Sequence, residues 1–279
     1  MPIHDQGYRR YSGERAPRGR AWTVIARTGL RTRLGQRMFL GLLLVSWLPF
    51  LVRAVQIYAA ANLPQAAFLA PTPEMFRQFL DQQQIFVFFL TVYGGAGLIA
   101  HDRRANALQI YLSKPLTRVE YVFGKFAILT TWLLLVTWVP AIVLLIVQIA
   151  FAGNFDFFTK NIYLFPAITL FSFVQVLTVS AAMLALSSLS SSSRYVGILY
   201  AALLFFSQAL FGVLRVVTGD TRLSWISVPY ALNQVGDAIF RVPLRYQTPW
   251  PVALAVLVVL VVASGFILER RVRGVEVVA

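Results

Sequence analysis

Six long apolar segments constrain the fold of this chain more than any other feature of its sequence. A helix needs about 20 apolar residues to cross the hydrocarbon core of a bilayer, and a segment in lipid must satisfy its own backbone hydrogen bonds. Segments of this length therefore predict an all-α polytopic membrane protein with six transmembrane helices. They lie at about 38–60, 84–100, 126–151, 162–187, 195–217 and 250–268. Pro49 and Pro140 fall inside two of them and predict kinks.

The composition agrees with a chain embedded in lipid and argues against several kinds of site. Hydrophobic residues make up 58% of the 279 residues and charged residues 13%, whereas soluble domains average about 45–50% and about 25%. The chain has no cysteine and only two histidines, His4 and His101. We therefore expect no disulfide, no metal site, no thiol nucleophile and no cofactor on this chain. A cleavable signal peptide is not expected either, because residues 1–37 are arginine-rich and contain no apolar stretch.

The basic residues are distributed unevenly among the segments that connect the apolar runs. Of the 25 lysines and arginines, 18 lie in residues 1–37, in residues 101–125, at Arg194 or in the C-terminal tail, and five lie in the other three loops. The positive-inside rule then predicts that both termini are in the cytoplasm, in a cell membrane. Because topology accounts for the net charge of +14, we do not expect nucleic acid as a partner.

The N-terminal segment contains an amphipathic pattern. At helical spacing, Arg20, Arg27 and Arg31 fall on one side, and Trp22, Ile25, Ala26 and Gly29 fall on the opposite side. This arrangement is typical of a helix that lies in the membrane interface. It predicts an N-terminal interfacial helix with a bend near Gly35; a basic tail without fixed structure is the alternative. The chain thus divides into a basic cytoplasmic segment (1–37), a six-span domain (38–268) and a cytoplasmic tail (269–279).

The segment 101–125 is highly charged although it connects two apolar runs. Asp102 is suitable as the cap of a short helix that ends before Pro115, with an apolar face formed by Ala105, Leu108, Tyr111 and Leu112. The sequence Thr117-Arg118-Val119-Glu120 has the T-x-x-E pattern of a capping box, which predicts the start of a new helix that continues into the third span. Such a segment can transmit force from a cytoplasmic partner into the membrane. Periodicity does not distinguish this role from that of a plain helix on lipid headgroups.

Residues 97–125 resemble the signature of ABC-2 type ABC-transporter permeases. The matching residues are Leu112, Ser113, Pro115, Leu116, Thr117, Arg118, Gly124 and Lys125. Asp102 stands where the family usually has Glu, and Asn106-Ala107 replaces the usual Gly-Thr. Asn tolerates the left-handed geometry that Gly would supply, so the turn is expected to persist. The six spans and the interfacial helix also agree with the architecture of this family.

The resemblance implies that this segment is a cytoplasmic coupling helix that docks on a separate ABC ATP-binding subunit. The residues it assigns to coupling are Asp102, Arg103, Arg104, Leu108, Tyr111, Leu112, Ser113, Pro115, Thr117 and Arg118. It also implies a second permease copy, identical or related, and export as the usual direction of transport. ATP and Mg²⁺ would bind to the partner, since the chain has no G-x-x-x-x-G-K-[ST] loop. The chain itself is therefore not expected to be an enzyme.

Polar residues within or near the spans are the candidates for a transport pathway. Those singled out are Arg53, Gln175, Gln208 and Arg215. Polar groups in membrane spans often mark a functional site, but the arginines are also close enough to the span ends to reach the headgroups. The glutamines, with Gln148, are also suited to hydrogen bonds between helices. Both interpretations remain open.

Other features argue against catalysis and against an autonomous carrier. The predicted spans contain no acidic residue, and the serine run 187–193 has no accompanying base; a short flexible turn is expected there. The segment 218–249 predicts a short helix, with an apolar face at Ala231, Val235, Ala238 and Ile239, that rests on or dips into the outer leaflet; an exposed loop is the alternative. The alternative to a permease is a membrane scaffold or assembly protein without a transported substrate.

Overall fold

The described part of the chain is mainly helical, and short loops connect the helices. The structure is a computed structural model that describes residues 20–107, 116–152 and 156–272, and these ranges contain no β-strand. Their α-helices are α1 (Ala21–Leu34), α2 (Arg37–Val45), α3 (Leu48–Asn62), α4 (Pro73–Gly95), α5 (Gly97–Arg104), α6 (Arg118–Val136), α7 (Trp138–Ala152), α8 (Asp156–Lys160), α9 (Leu164–Leu189), α10 (Ser193–Thr218), α11 (Val228–Ile239) and α12 (Trp250–Arg271). Two 3₁₀ turns lie at Pro64–Leu69 and Ser224–Ile226.

Within the described ranges, six helical segments are long and apolar enough to cross a membrane, which agrees with the predicted number. They are Arg37–Asn62, Pro73–Arg104, Arg118–Phe151, Leu164–Leu189, Ser193–Thr218 and Trp250–Arg271. Helix α9 lies at the centre of the bundle. In its most apolar stretch of 18 residues, 72% is buried, compared with 11% in the corresponding stretch of the first span. The exposed apolar faces of the outer spans are suited to contact with lipid. The chain is therefore a multi-pass membrane protein by length and composition.

Each of the two predicted proline kinks coincides with an interruption of the helix, and both interruptions have the same backbone cause. A proline lacks the N–H that would bond to the carbonyl four residues earlier, and its ring clashes with that carbonyl. Pro49 and Pro140 remove these bonds from Val45 and Val136, which are the last residues of α2 and α6. At the first break, Gln83 of α4 donates to the backbone carbonyl of Ser46 (3.1 Å).

The predicted start of the second span, at residue 84, is wrong because the helix begins eleven residues earlier. Thr72 caps α4 by accepting a hydrogen bond from the N–H of Met75, and Pro73 occupies the first turn. Arg77 and Asp81 therefore belong to this helix and not to a loop. The expectation that the spans contain no acidic residue is wrong for the same reason.

Helix α1 forms where the amphipathic pattern predicts it, and it ends at Leu34 beside the expected bend. Its apolar face packs closely on α6. A methyl group at Gly29 would lie 2.2 Å from Cδ1 of Ile128, and one at Gly124 would lie 2.9 Å from Cβ of Ile25. The two glycines thus allow the two helices to approach. The location of α1 at a membrane interface remains a prediction.

The segment between the fifth and sixth spans contains the predicted helix, so residues 228–239 do not form an exposed loop. Helix α11 packs against α9 and α12, and eight of its twelve residues are buried. Ala231 and Val235 of the predicted apolar face are among them, whereas Ala238 and Ile239 are half-buried. The location of α11 on or in the outer leaflet remains a prediction.

The predicted capping role of Asp102 is wrong. Asp102 lies near the C-terminal end of α5, which stops at Arg104. The helix ends because Asn106 adopts a left-handed backbone conformation (φ 51°), as expected for the residue that replaces the family's glycine. The predicted continuation through Leu108, Tyr111 and Leu112 lies outside the described residues.

Candidate functional site

Asp102 connects the two helices that flank the charged segment. Its Oδ2 atom accepts a hydrogen bond from the Tyr121 hydroxyl (2.7 Å) and forms an ion pair with Nζ of Lys125 (2.6 Å). The side chains of Lys125 and Asp102 are only 13% and 17% exposed, so water screens this pair less than a surface pair. The contacts hold the end of α5 against the first turns of α6.

Ser187 connects the same region to the central helix. Its Oγ atom accepts hydrogen bonds from the N–H groups of Ile99 (3.1 Å) and Ala100 (3.0 Å), and it donates to the carbonyl of Ala96 (2.8 Å). These backbone groups lie at the start of α5, and the Ile99 N–H is one of the first-turn N–H groups that have no partner within their own helix. The guanidinium of Arg103 also donates to the backbone carbonyl of Ser188.

We call this arrangement the joint, defined by Asp102, Arg103, Tyr121, Lys125, Ser187 and Ser188. It fixes the ends of the second, third and fourth spans to one another. Ser187 and Ser188 are buried in the last turn of α9, so the expectation of a flexible turn is wrong for them. Sequence reasoning missed the helix break at Ala96, where Ser187 bonds to the backbone of the first turn of α5.

The predicted capping box at the start of α6 is confirmed. Thr117 Oγ1 accepts from the Glu120 N–H (3.2 Å), and Glu120 Oε2 accepts from the Thr117 N–H (3.0 Å). The capping box fixes where α6 begins, so the segment that precedes it enters a rigid helix. The N–H of Ala21 at the start of α1 also points to Glu120 Oε1 at 3.4 Å.

The residues assigned to coupling fall into three groups. Asp102 and Arg103 make contacts within the chain, as described above. Arg104, Thr117 and Arg118 are exposed on either side of residues 108–115, which the structure does not describe. The remaining five lie outside the described residues; they are Leu108, Tyr111, Leu112, Ser113 and Pro115.

A charge cluster lies at the other end of the bundle, and sequence reasoning missed it. It consists of Arg77, Asp81, Asp237 and Arg245. Nε of Arg77 lies 3.0 Å from Oδ1 of Asp237, and Nε of Arg245 lies 3.0 Å from Oδ2 of the same carboxylate. Asp81 pairs with both arginines. The cluster thus ties α11 and the following loop to the start of the second span.

Two of the four charged side chains in the cluster are deeply buried. The side chains of Arg77 and Asp237 are fully buried, and the guanidinium of Arg77 lies 4.6 Å from the ring centroid of Phe171. Burial raises the pKa of the Asp237 carboxyl, against the opposing effect of Arg77 and Arg245. Burial acts to lower the pKa of Arg245, but Asp81 and Asp237 outweigh it and raise that pKa. Charges at such depth are retained only when they are paired.

A cavity of about 290 Å³ lies between α4, α9, α10 and α11. Its lining is mainly apolar and contains three glutamines: Gln84, Gln175 and Gln208. Two of the four predicted pathway residues therefore line one cavity. Gln84 also connects the cavity to the charge cluster, because its Nε2 donates to Oδ1 of Asn233 (2.7 Å) and the Asn233 carbonyl accepts from Arg77 (3.1 Å).

The other two predicted pathway residues do not line this cavity. Arg53 donates to Oε1 of Gln56 in its own helix (2.9 Å). Arg215 is exposed in the last turn of α10. Within the described ranges, no three His, Asp or Glu side chains come together as metal ligands would.

Comparison of the sequence with models of known protein families gives no match, and neither does comparison with curated proteins. Four features of the chain itself therefore bear on its function: the segment 97–125, the joint, the charge cluster and the cavity.

Proposed function

We propose that this chain is the permease subunit of an ATP-driven ABC transporter of the ABC-2 type. It would lie in the cytoplasmic membrane with both termini in the cytoplasm and pair with a second permease copy. Separate ATP-binding subunits would carry ATP and Mg²⁺, and the substrate would move by alternating access, with export as the direction that the resemblance implies. The observation that carries the proposal is the joint, because it links the segment resembling a coupling helix to three spans.

The first step of the proposed mechanism is contact with the ATP-binding subunit. Arg104 and Arg118 are exposed and flank the segment 105–117, so a partner can reach this segment from the predicted cytoplasmic side. Two exposed cations next to the predicted apolar face of this segment are suited to a groove with acidic edges. ATP-driven closure of the partners would then displace the segment.

The second step is transmission of that displacement into the bundle. Because Asp102 holds α5 against Tyr121 and Lys125, the two helices move together. The break at Ala96 separates α5 from α4, and it gives the second span a place to bend. Ser187 bonds to Ala96 at this break and to the first turn of α5, so α9 follows the motion of α5. In this mechanism the cavity beside α9 changes its access as the helices tilt.

The proposal is tested first by purification of the tagged chain from its native membrane, with the bound proteins identified by mass spectrometry. We expect an ATP-binding subunit to co-purify in an amount comparable to the chain. A complex without any ATPase would contradict the proposal and favour the scaffold alternative.

A second test measures how the chain stimulates the ATPase in liposomes. Leu108→Asp and Leu112→Asp should abolish stimulation while membrane insertion is unchanged. The matched control is Phe68→Asp, which places the same charge at an apolar side chain that is 83% exposed outside the segment 101–125. Stimulation that survives both leucine substitutions would reject transmission through this segment.

A further inference from the structure

Gln175 carries a buried hydrogen-bond acceptor that has no partner. The residue is 1% exposed, and its Oε1 atom has no hydrogen bond among the described residues. Buried side-chain oxygens in native proteins are normally satisfied. Gln175 lines the cavity, and its Oε1 atom is itself buried, so a small rotation of the side-chain amide lets a molecule inside the cavity supply the missing donor.

The depth of Gln175 limits what that molecule can be. Gln175 is the twelfth of the 26 residues of α9, so it lies near the middle of the span. A bilayer lipid reaches this depth only with its acyl chains, which have no hydrogen-bond donor. An acyl chain would therefore fill the apolar space and leave Oε1 unsatisfied.

The lining of the cavity also selects against charge. None of the residues that line it is charged. In the neighbouring charge cluster, two arginines pair with two aspartates, so the cluster has no net charge to attract an ion. An ion entering this space would lose its hydration without gaining a counter-ion. A neutral molecule with a large apolar part incurs no such cost.

We infer that this cavity binds a neutral, predominantly apolar molecule that donates a hydrogen bond to Oε1 of Gln175. Its volume of about 290 Å³ is at the lower end of the range for small-molecule sites, about 300–1,000 Å³, so the ligand is small. That this ligand represents the class of transported substrate rests on the proposed function.

The test uses the purified full-length chain in nanodiscs and 3-azioctanol, a neutral photoactivatable alcohol, with labelled residues mapped by mass spectrometry. We expect saturable labelling at residues of the cavity lining, such as Val179, Leu204 and Leu232. Octan-1-ol should compete, whereas octanoate and octylammonium should not. Labelling spread over the lipid-facing residues without saturation would overturn the inference, as would equal competition by the two ions.

Matched variants distinguish the loss of the hydrogen-bond acceptor at Gln175 from damage to the fold. Gln175→Leu removes one hydrogen bond and should raise the half-saturating alcohol concentration about five-fold. Gln148→Leu is the control, since Gln148 is also buried within a span (6% exposed) but does not line the cavity; its labelling should equal that of the wild type. Ala182→Phe should fill the cavity and abolish labelling. Equal half-saturation in the two leucine variants would overturn the inference.

A phospholipid with a photoactivatable acyl chain tests whether the cavity is occupied by a lipid chain or by a small neutral molecule. We expect octan-1-ol to displace it from the cavity residues. Labelling by this lipid that the alcohol cannot displace would identify the cavity as a lipid site and contradict the inference. Because these assays need no ATP-binding subunit, their failure is distinct from failure of an ATPase to co-purify.

Discussion

Replacing Asp237 by alanine removes the carboxylate that pairs with both Arg77 and Arg245. The Nε atoms of these arginines lie 3.0 Å from Oδ1 and Oδ2 of Asp237. The side chain of Arg77 is fully buried, so the variant leaves its guanidinium away from water with Asp81 as its remaining carboxylate partner. Removing one member of a buried ion pair costs about 3–5 kcal/mol. We expect the free energy of unfolding to fall by about that amount.

The free energy of unfolding is measured in bicelles by denaturant titration with tryptophan fluorescence. Asp220→Ala is the matched control, because Asp220 lies 4.0 Å from an Arg222 side chain that is 78% exposed; its cost should be below about 1 kcal/mol. The double variant Arg77→Met, Asp237→Leu should be less destabilised than Asp237→Ala, since it leaves no charge without a partner at the buried pair. Equal costs for the two single alanine variants would refute the argument from burial.

Two further predictions concern the joint and the packing of α1. Ser187→Ala removes three hydrogen bonds at the α4–α5 break and should lower the free energy of unfolding by about 3 kcal/mol. Amide hydrogen exchange at residues 97–100 should become faster. Ser207→Ala is the control, since it loses one hydrogen bond within its own helix and should leave that exchange unchanged. Gly124→Ala places a methyl group 2.9 Å from Ile25, so α1 must shift at a cost of about 1–3 kcal/mol. Gly212→Ala, which faces open space, should not reduce stability, and equal unfolding free energies for the two alanine variants would contradict the close contact of α1 and α6.

The features that sequence reasoning predicts correctly are those with local physical causes. Long apolar runs require helices in lipid, the T-x-x-E pattern supplies both bonds of the capping box, and a proline breaks the helix at the carbonyl four residues earlier. The amphipathic spacing of residues 20–31 likewise predicts α1. Each of these depends on a few neighbouring residues.

The features that it misses depend on contacts between distant residues. The sequence does not show that Arg77 is buried and paired, because its partner Asp237 lies 160 positions later. The Thr72-Pro73-Glu74 start signal was nevertheless present in the sequence and would have extended the second span. Ser187 could not be assigned because the break that it stabilises lies about 90 residues earlier. The contact between cavity and charge cluster through Gln84 is equally non-local.

The measurement that most directly tests the central claim is the side of the membrane that the segment 101–125 faces. The chain has no cysteine, so single cysteines can be introduced without a background. Val119→Cys and Phe68→Cys replace side chains that are 76% and 83% exposed, without changing the charge. In intact cells, a membrane-impermeant maleimide should label only the Phe68→Cys variant, and both variants after the cells are opened. Labelling of Val119→Cys in intact cells would place the joint outside the cell, where no ATP-binding subunit can drive it.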